Sequence, residues 1–367
     1  MKKILSVLLS VLMLMSFAGC GQSASSSSVE EEKVSGSIQS ETEKVIESDE
    51  EEAAQAPEGT YFSELTGLPV SEDIKDRRPL AVMVDLEQVS LPNFGLSECD
   101  VIYEFMNNIY NGRISRIMAM VKEYDDIEML GNVRSTRSTN VILAWEWNAI
   151  LCHDGQSHSA EKYLAKAYSS QHFSGIFSRV NNGKATEFTE YILKGDIEKA
   201  FKSTGYSKNY NEYAPERDSH FTFVEYETKV DTEGWSDANS ITLPFYHTNT
   251  TLKYNSETGT YDYYLYNGLQ KDGDDDDVIT FDNVIIQKCA YEIEQQTEGY
   301  IVYNVIQSNQ PGYYLTNGKM EEITWTKSSE LGITYYYDAD GNEIEINRGK
   351  TYIALVPSDT WNEVSIK

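Results

Sequence analysis

Between Tyr61 and Val356 the apolar positions gather into short runs, and the spacing within each run predicts an element. Pro79-Leu80-Ala81-Val82-Met83-Val84-Asp85 is apolar at every step until its closing acid, the pattern of a strand buried on both faces. Asp100 to Glu104 and Ile114 to Val121 read the same way, and Ala149 to His153 makes a shorter fourth strand. Thr139 to Asn148 has helical texture and follows Ser135 and Ser138, two candidate caps. Ser159 to Ala167 and Thr189 to Lys202 predict further helices, the second with apolar residues spaced for one buried face. Strands alternating with helices predict an α/β domain over 59–235, with helices flanking a central sheet. The link at Asn107 to Gly112 is short enough for a hairpin, so a mixed sheet is expected.

Beyond about Ser240 the pattern turns almost wholly to β. Thr260 to Tyr266, Val278 to Lys288, Tyr300 to Ile306, Glu322 to Lys327, Ile333 to Tyr337, Glu343 to Ile346 and Thr351 to Val356 are strand candidates. Turn residues such as Asp340-Gly341 and Arg348-Gly349 divide them. The expected fold class is thus α+β, an N-terminal α/β domain followed by a small β-rich domain over 236–367 packed on the first. The acidic stretches Asp272 to Asp277 and Asp338 to Glu343 lack the spacing of an EF-hand loop and read as turns between strands.

The first residues carry a different signal. Lys2 and Lys3, an apolar run from Ile4 to Phe17 and then Ala18-Gly19-Cys20 have the basic start and small-residue end of a secretion signal. The run is too short to span a bilayer, which needs roughly 20 apolar residues. A cysteine directly after Phe17-Ala18-Gly19 predicts a lipoprotein: residues 1–19 removed, a lipid such as palmitate on Cys20, and an anchor on the extracytoplasmic face of the cell membrane. Residues 20–58 are rich in Ser and then Glu and almost devoid of aromatics, the composition of a solvated tether. Random-coil scaling gives it a span of roughly 35 Å.

Charge narrows the partners. The formal net charge is −29; residues 1–20 contribute +2 and residues 21–58 contribute −9, which leaves −22 on the rest. Such a surface repels nucleic acid, so no nucleic-acid partner is expected. Against this background four of the nine arginines, Arg113, Arg116, Arg134 and Arg137, fall within twenty-five residues. Arg113 and Arg116 open the third strand, and Arg134-Ser135-Thr136-Arg137 makes the turn into a helix. Guanidiniums beside a helix N-terminus suit phosphate or carboxylate. The competing expectation is an internal ion-pair network with Asp85, Asp100 and Glu104.

The loop His153-Asp154-Gly155-Gln156-Ser157-His158 follows the fourth strand, where open α/β sheets meet ligands. The predicted ligand-binding set is therefore Arg113, Arg116, Arg134, Ser135, Arg137, His153 and Ser157, with His153, Asp85 and Glu104 as candidate catalytic groups. No GxSxG elbow, P-loop or dinucleotide fingerprint occurs. No metal or cofactor is expected. With Cys20 assigned to lipid, Cys99, Cys152 and Cys289 allow at most one disulfide, and buried thiols are the simpler expectation.

Several of these segments together resemble a known family. Leu65-Thr66-Gly67-Leu68-Pro69, the Arg78 to Asp85 strand, Gly95 to Glu104, Gly131 to Arg137 and the His153 loop look like the YerB-like family of bacterial lipoproteins, a domain of unknown function. Trp325-Thr326-Lys327, Tyr337 to Gly341 and Gly349 to Pro357 resemble the C-terminal domain of that family. Asn132, Asp154 and Leu86 to Asn93 depart from the family pattern. The Arg-Ser-x-Arg turn is also similar in outline to enzymes that move wall polymers from a polyprenyl carrier to peptidoglycan and hold pyrophosphate with arginines. The expected function is binding of an anionic, phosphate-bearing envelope ligand in an arginine-lined cleft. The alternatives are a phosphotransferase or hydrolase of polyprenyl-linked or wall-polymer substrates, with Asp85 or Glu104 holding a divalent ion, and a scaffold that recruits protein partners through its tyrosines.

Overall fold

The structure is a computed structural model that describes residues 55–110, 112–215 and 219–367. The expected secretion signal, Cys20 and most of the expected tether lie outside the described residues. Among the described residues no helix is long and apolar enough to cross a membrane.

The central apolar runs become strands: β1 Leu80–Asp85, β2 Val101–Met106, β3 Ser115–Val121, β4 Met129–Gly131, β5 Ile150–His153, β6 Phe173–Ser174 and β7 Glu190–Leu193. The second half adds β8 Asn283–Cys289, β9 Tyr291–Gln295, β10 Tyr300–Tyr303, β11 Gln310–Thr316, β12 Lys319–Lys327, β13 Thr334–Tyr337 and β14 Thr351–Pro357. Among the described residues helices are few: α1 Ser138–Trp145, α2 His158–Leu164 and α3 Asp196–Thr204. The chain is mostly β, and the α/β alternation expected for 59–235 is only partly realised.

One correction concerns the helix expected over Thr189 to Lys202. Its first part is β7, paired antiparallel with β4 through Tyr191 opposite Gly131, and only then does α3 begin. Gly195, with φ of 84°, turns the chain between them.

An eleven-stranded mixed sheet runs in the order Ser236–Asp237, β12, β11, β8, β14, β2, β3, β1, β5, β6, with β13 on the far edge of β12. The Asn107 to Gly112 hairpin is present, since β2 and β3 pair antiparallel. The sheet does not stop between residues 235 and 236. Strand β14 from the C-terminal region lies parallel to β2 on one side and to β8 on the other.

Side-chain alternation then separates two cores. Ala81, Met83, Tyr103, Met118, Ile353 and Leu355 share one face with residues of α1 and α2. Val82, Val84, Ile102, Ile117 and Ala354 line the other, with Ile197 and Phe201 of α3 and Leu252, Tyr261 and Tyr263 of a second, six-stranded sheet.

Candidate functional site

Strand register brings the predicted residues to one end of this sheet. Asp85 closes β1 directly opposite Arg116 of β3, and Arg116 in turn faces Phe105 of β2. All three side chains point to the face that carries α1. The 132–137 turn is sewn down over that end: Arg134 N–H donates to Met83 O at 2.9 Å, Thr136 N–H to Gly155 O at 3.0 Å and Asp154 N–H to Arg134 O at 3.0 Å. Strand end, turn and the loop after β5 thus converge, and Arg137 becomes the N-cap residue of α1.

The arginines divide by how they are partnered. Arg134 is paired with two carboxylates: Nε lies 2.8 Å from Asp85 Oδ2, Nη1 donates to Glu187 O at 2.7 Å, Nη2 lies 3.0 Å from Glu187 Oε2, and the guanidinium faces the Phe188 ring. Here the ion-pair expectation holds, with Glu187 as an unforeseen second partner.

Arg116 and Arg137 are different. They are 7% and 5% exposed, and among the described residues neither reaches a carboxylate. Arg116 Nη1 donates to Ser135 O at 3.1 Å, Arg137 Nη1 to Thr136 O at 2.9 Å, and the Nε of each is buried without an acceptor. The Arg137 guanidinium lies 4.1 Å from the centre of the Tyr300 ring of β10. Burial, helped by the neighbouring Arg137 charge, pulls Arg116 down to about 9, and burial lowers Arg137 too. Two guanidiniums are thus held near each other, largely out of water and short of acceptors. Asn140 and Val141 of α1 donate to Arg137 O, whereas among the described residues no acceptor is found for the N–H groups of Ser138 and Thr139.

Other predicted residues stand elsewhere or carry structural bonds. Arg113 leaves the cluster, pairing with Asp359 at 2.7 Å over the Tyr246 ring. Glu104 points to the opposite face of β2, where Ser115, Thr250, Tyr263 and Tyr352 hydroxyls surround its carboxyl at 2.7–2.9 Å. Burial raises its pKa against the pull of those four donors. Asp100 accepts from Lys122 N–H at 3.0 Å, and burial pushes it up to about 7. Of the three carboxylates expected to neutralise the arginines, only Asp85 does so.

His153 is fully buried, with Nδ1 2.9 Å from Gly155 O and Nε2 3.0 Å from His172 Nδ1. Burial lowers it to about 4. Ser135 donates to Asp154 O at 2.7 Å, and Ser157 caps α2 by accepting from Ala160 N–H at 3.3 Å. Cys99, Cys152 and Cys289 are free and buried, and burial raises each thiol.

Asp272 accepts from the N–H groups of Gly95, Ser97 and Asp274, and Asp338 from those of Asp340 and Asn342, so both acidic stretches make turns. A cleft of about 60 Å³ elsewhere in the structure is lined by Leu80, Tyr124 and Ile197.

Sequence reading missed Tyr300 and Glu294, which come from β10 and β9, and the cluster in which Arg179 Nη2 lies 2.7 Å from Asp154 Oδ2 and 2.8 Å from Glu190 Oε2. The abundance of tyrosine was the only hint of Tyr300. Nothing local announced Glu294.

Two family descriptions match this chain: "Protein of unknown function (DUF3048) N-terminal domain" over residues 65–207 and its C-terminal domain over residues 241–353. The chain is similar to a Bacillus subtilis (strain 168) protein named "Putative lipoprotein YerB", at 23% identity over 308 residues, 80% of this chain and 85% of that one. It also resembles the crystal structure of YerB protein from Bacillus subtilis, with a TM-score of 0.69 and 22% identity, covering 83% of this chain and 99% of the other. That likeness supports the fold.

Proposed function

This chain belongs to the DUF3048 family of proteins of unknown function, and on that footing we propose that it is a membrane-tethered lipoprotein that binds a phosphate-bearing envelope ligand at Arg116 and Arg137. The observation that carries this reading is the pair of buried guanidiniums without a carboxylate. Removing a cation from water costs several kcal/mol unless a partner repays it. Two such cations near each other repel as well, so the arrangement suits a protein whose bound state includes an anion. Arginine donors match phosphate oxygens in pairs, and the open N–H groups at the start of α1 add to the same field.

The tether sets the place. A lipid on Cys20 would hold the body within tens of ångströms of the membrane surface, and the name of the relative supports that anchor. The surrounding charge of −22 disfavours casual anion binding. Saturating occupancy therefore depends on the local pair.

The test is thermal and chemical unfolding with inorganic phosphate or pyrophosphate against chloride of equal ionic strength. At a hundred times Kd, bound anion should add about 2.7 kcal/mol. Arg116→Met and Arg137→Met should lose that increment, and, because each removes an unpaired buried charge, should be at least as stable as the parent without phosphate. Equal stabilisation of parent and variants, or none in the parent, would overturn the reading. For the anchor, Cys20→Ala should move the protein from the membrane fraction to the soluble one.

A further inference from the structure

We infer that the ligand of this site is a phosphate ester of a polyol, an alcohol that carries free hydroxyls beside the ester. The inference rests on the anion reading above and goes further by naming what lies next to the phosphate. Its evidence is a second set of unpartnered atoms, this time acceptors. Asn107 and Asn108, at the end of β2, are 4% and 6% exposed, and the Oδ1 of each is buried without a donor. Glu294 of β9 accepts from Ser159 N–H through Oε1, while its Oε2 is buried and unpartnered.

Topology places these acceptors around the orphan donors. Asn107 donates its N–H to Ile114 O, so it lies two steps beyond Phe105, the cross-strand partner of Arg116, and on the same face. Asn108 bridges Tyr300, whose ring lies against the Arg137 guanidinium. Glu294 contributes to the field at Arg137. Orphan donors and orphan acceptors therefore share one end of the β2–β3 hairpin, beneath the β9–β10 hairpin.

Buried polar atoms without partners are few in folded proteins, and each costs about 1–3 kcal/mol. Phosphate oxygens satisfy the arginines and leave the acceptors orphaned. They also meet the like charge of Glu294. A polyol ester answers both sets: its anionic oxygens face Arg116 and Arg137, and its hydroxyls donate to Asn107, Asn108 and Glu294. The Tyr300 ring offers its carbon-bound hydrogens an apolar flank.

Titration calorimetry of the full chain with methyl phosphate and with glycerol 3-phosphate separates the two levels of the claim. Glycerol 3-phosphate should bind at least tenfold tighter than methyl phosphate. Asn108→Ala and Glu294→Ala should each cut that ratio below threefold, while methyl phosphate still binds and shows the variants to be folded. Because a glycerol phosphate group also heads some lipids, phosphatidylglycerol vesicles, with phosphatidylcholine as control, form a further arm. Binding to those vesicles alone assigns the same chemistry to a lipid source. Equal affinity for both soluble phosphates with no vesicle binding overturns the polyol inference and leaves the anion site standing. Failure of every phosphate probe overturns both.

Discussion

His153 stands where a catalytic base is expected, at the carboxyl end of β5, yet both ring nitrogens are engaged inside the protein. A neutral imidazole with one N–H fits that pair of bonds, and protonation would break the one in which it accepts. Its pKa falls from an ordinary value near 6.5 to about 4 through burial. The unfolded chain therefore binds a proton near pH 6.5 that the folded chain refuses until about pH 4. Stability from the neutral ring is fully present above pH 6.5 and is lost as pH falls through that window, by about 3 kcal/mol at most. His153→Asn, which can keep the donor to Gly155 O, should flatten the urea midpoint between pH 6.5 and 4 relative to the parent. His172, lowered by burial as well, should leave a smaller residual slope. An unchanged profile would show that His153 is more open to water than its bonds imply. Arg116 and Arg137 were legible in the sequence because nine arginines in so acidic a chain make a cluster conspicuous. Their lack of partners was not, because it depends on Glu104 pointing to the other face and on Glu187 taking Arg134.

Elements were legible where one period was unambiguous. Largely apolar runs became β1, β2, β3 and β14, while the 189–202 run held a strand and a helix in sequence, and its mixed spacing concealed the change at Gly195. What seats α1 is a polar contact that no local pattern announced. Glu146, just past its last turn, is fully buried and accepts from Lys327 Nζ of β12 at 2.9 Å, Thr334 Oγ1 of β13 at 2.8 Å and Tyr103 OH of β2 at 3.0 Å. Burial alone would raise this carboxyl, but Lys327 and His220 outweigh it and draw it down to about 2. The folded value lies below the unfolded one near 4.3, so the contribution of the pair is present above that pH and fades as pH falls toward 2. Lys327→Met leaves the carboxylate without its ammonium and should cost about 3–5 kcal/mol at pH 7 in urea unfolding. The deficit should narrow at pH 3, where the variant can take up a proton on Glu146. A deficit below about 1 kcal/mol at pH 7 would mean that the hydroxyls and His220 suffice to hold α1.

At the scale of the whole molecule the decisive strand is β14. Every residue from Thr351 to Pro357 is buried, and the strand is paired on both edges, with Ile353 beside Tyr103 on one side and Ile285 on the other. The run from Thr351 to Val356 marked a strand, but not a central one whose neighbours come from opposite ends of the chain. The family descriptions divide the protein between residues 207 and 241, whereas the sheet crosses that interval without a break. Separating 59–235 from 236–367 would bare the edge of β2 on one piece and of β14 on the other, and exposed apolar edges promote association. The intact body should therefore unfold in a single transition, with far-ultraviolet dichroism and tryptophan fluorescence coincident, since Trp145 and Trp147 report on one side of the division and Trp325 and Trp361 on the other. Each piece alone should be aggregated or unfolded, and the two produced together should restore a soluble pair. A chain ending at residue 349 lacks β14 and should fail even though it retains both sets of flanking strands. Two separated transitions, or a monomeric folded 59–235 piece, would show that the two regions are joined at β14 but not dependent on it. The proposed anion site would then be expected to lose Tyr300 and Glu294 in that piece while keeping Arg116 and Arg137, so phosphate binding by the piece would measure directly what the second region adds.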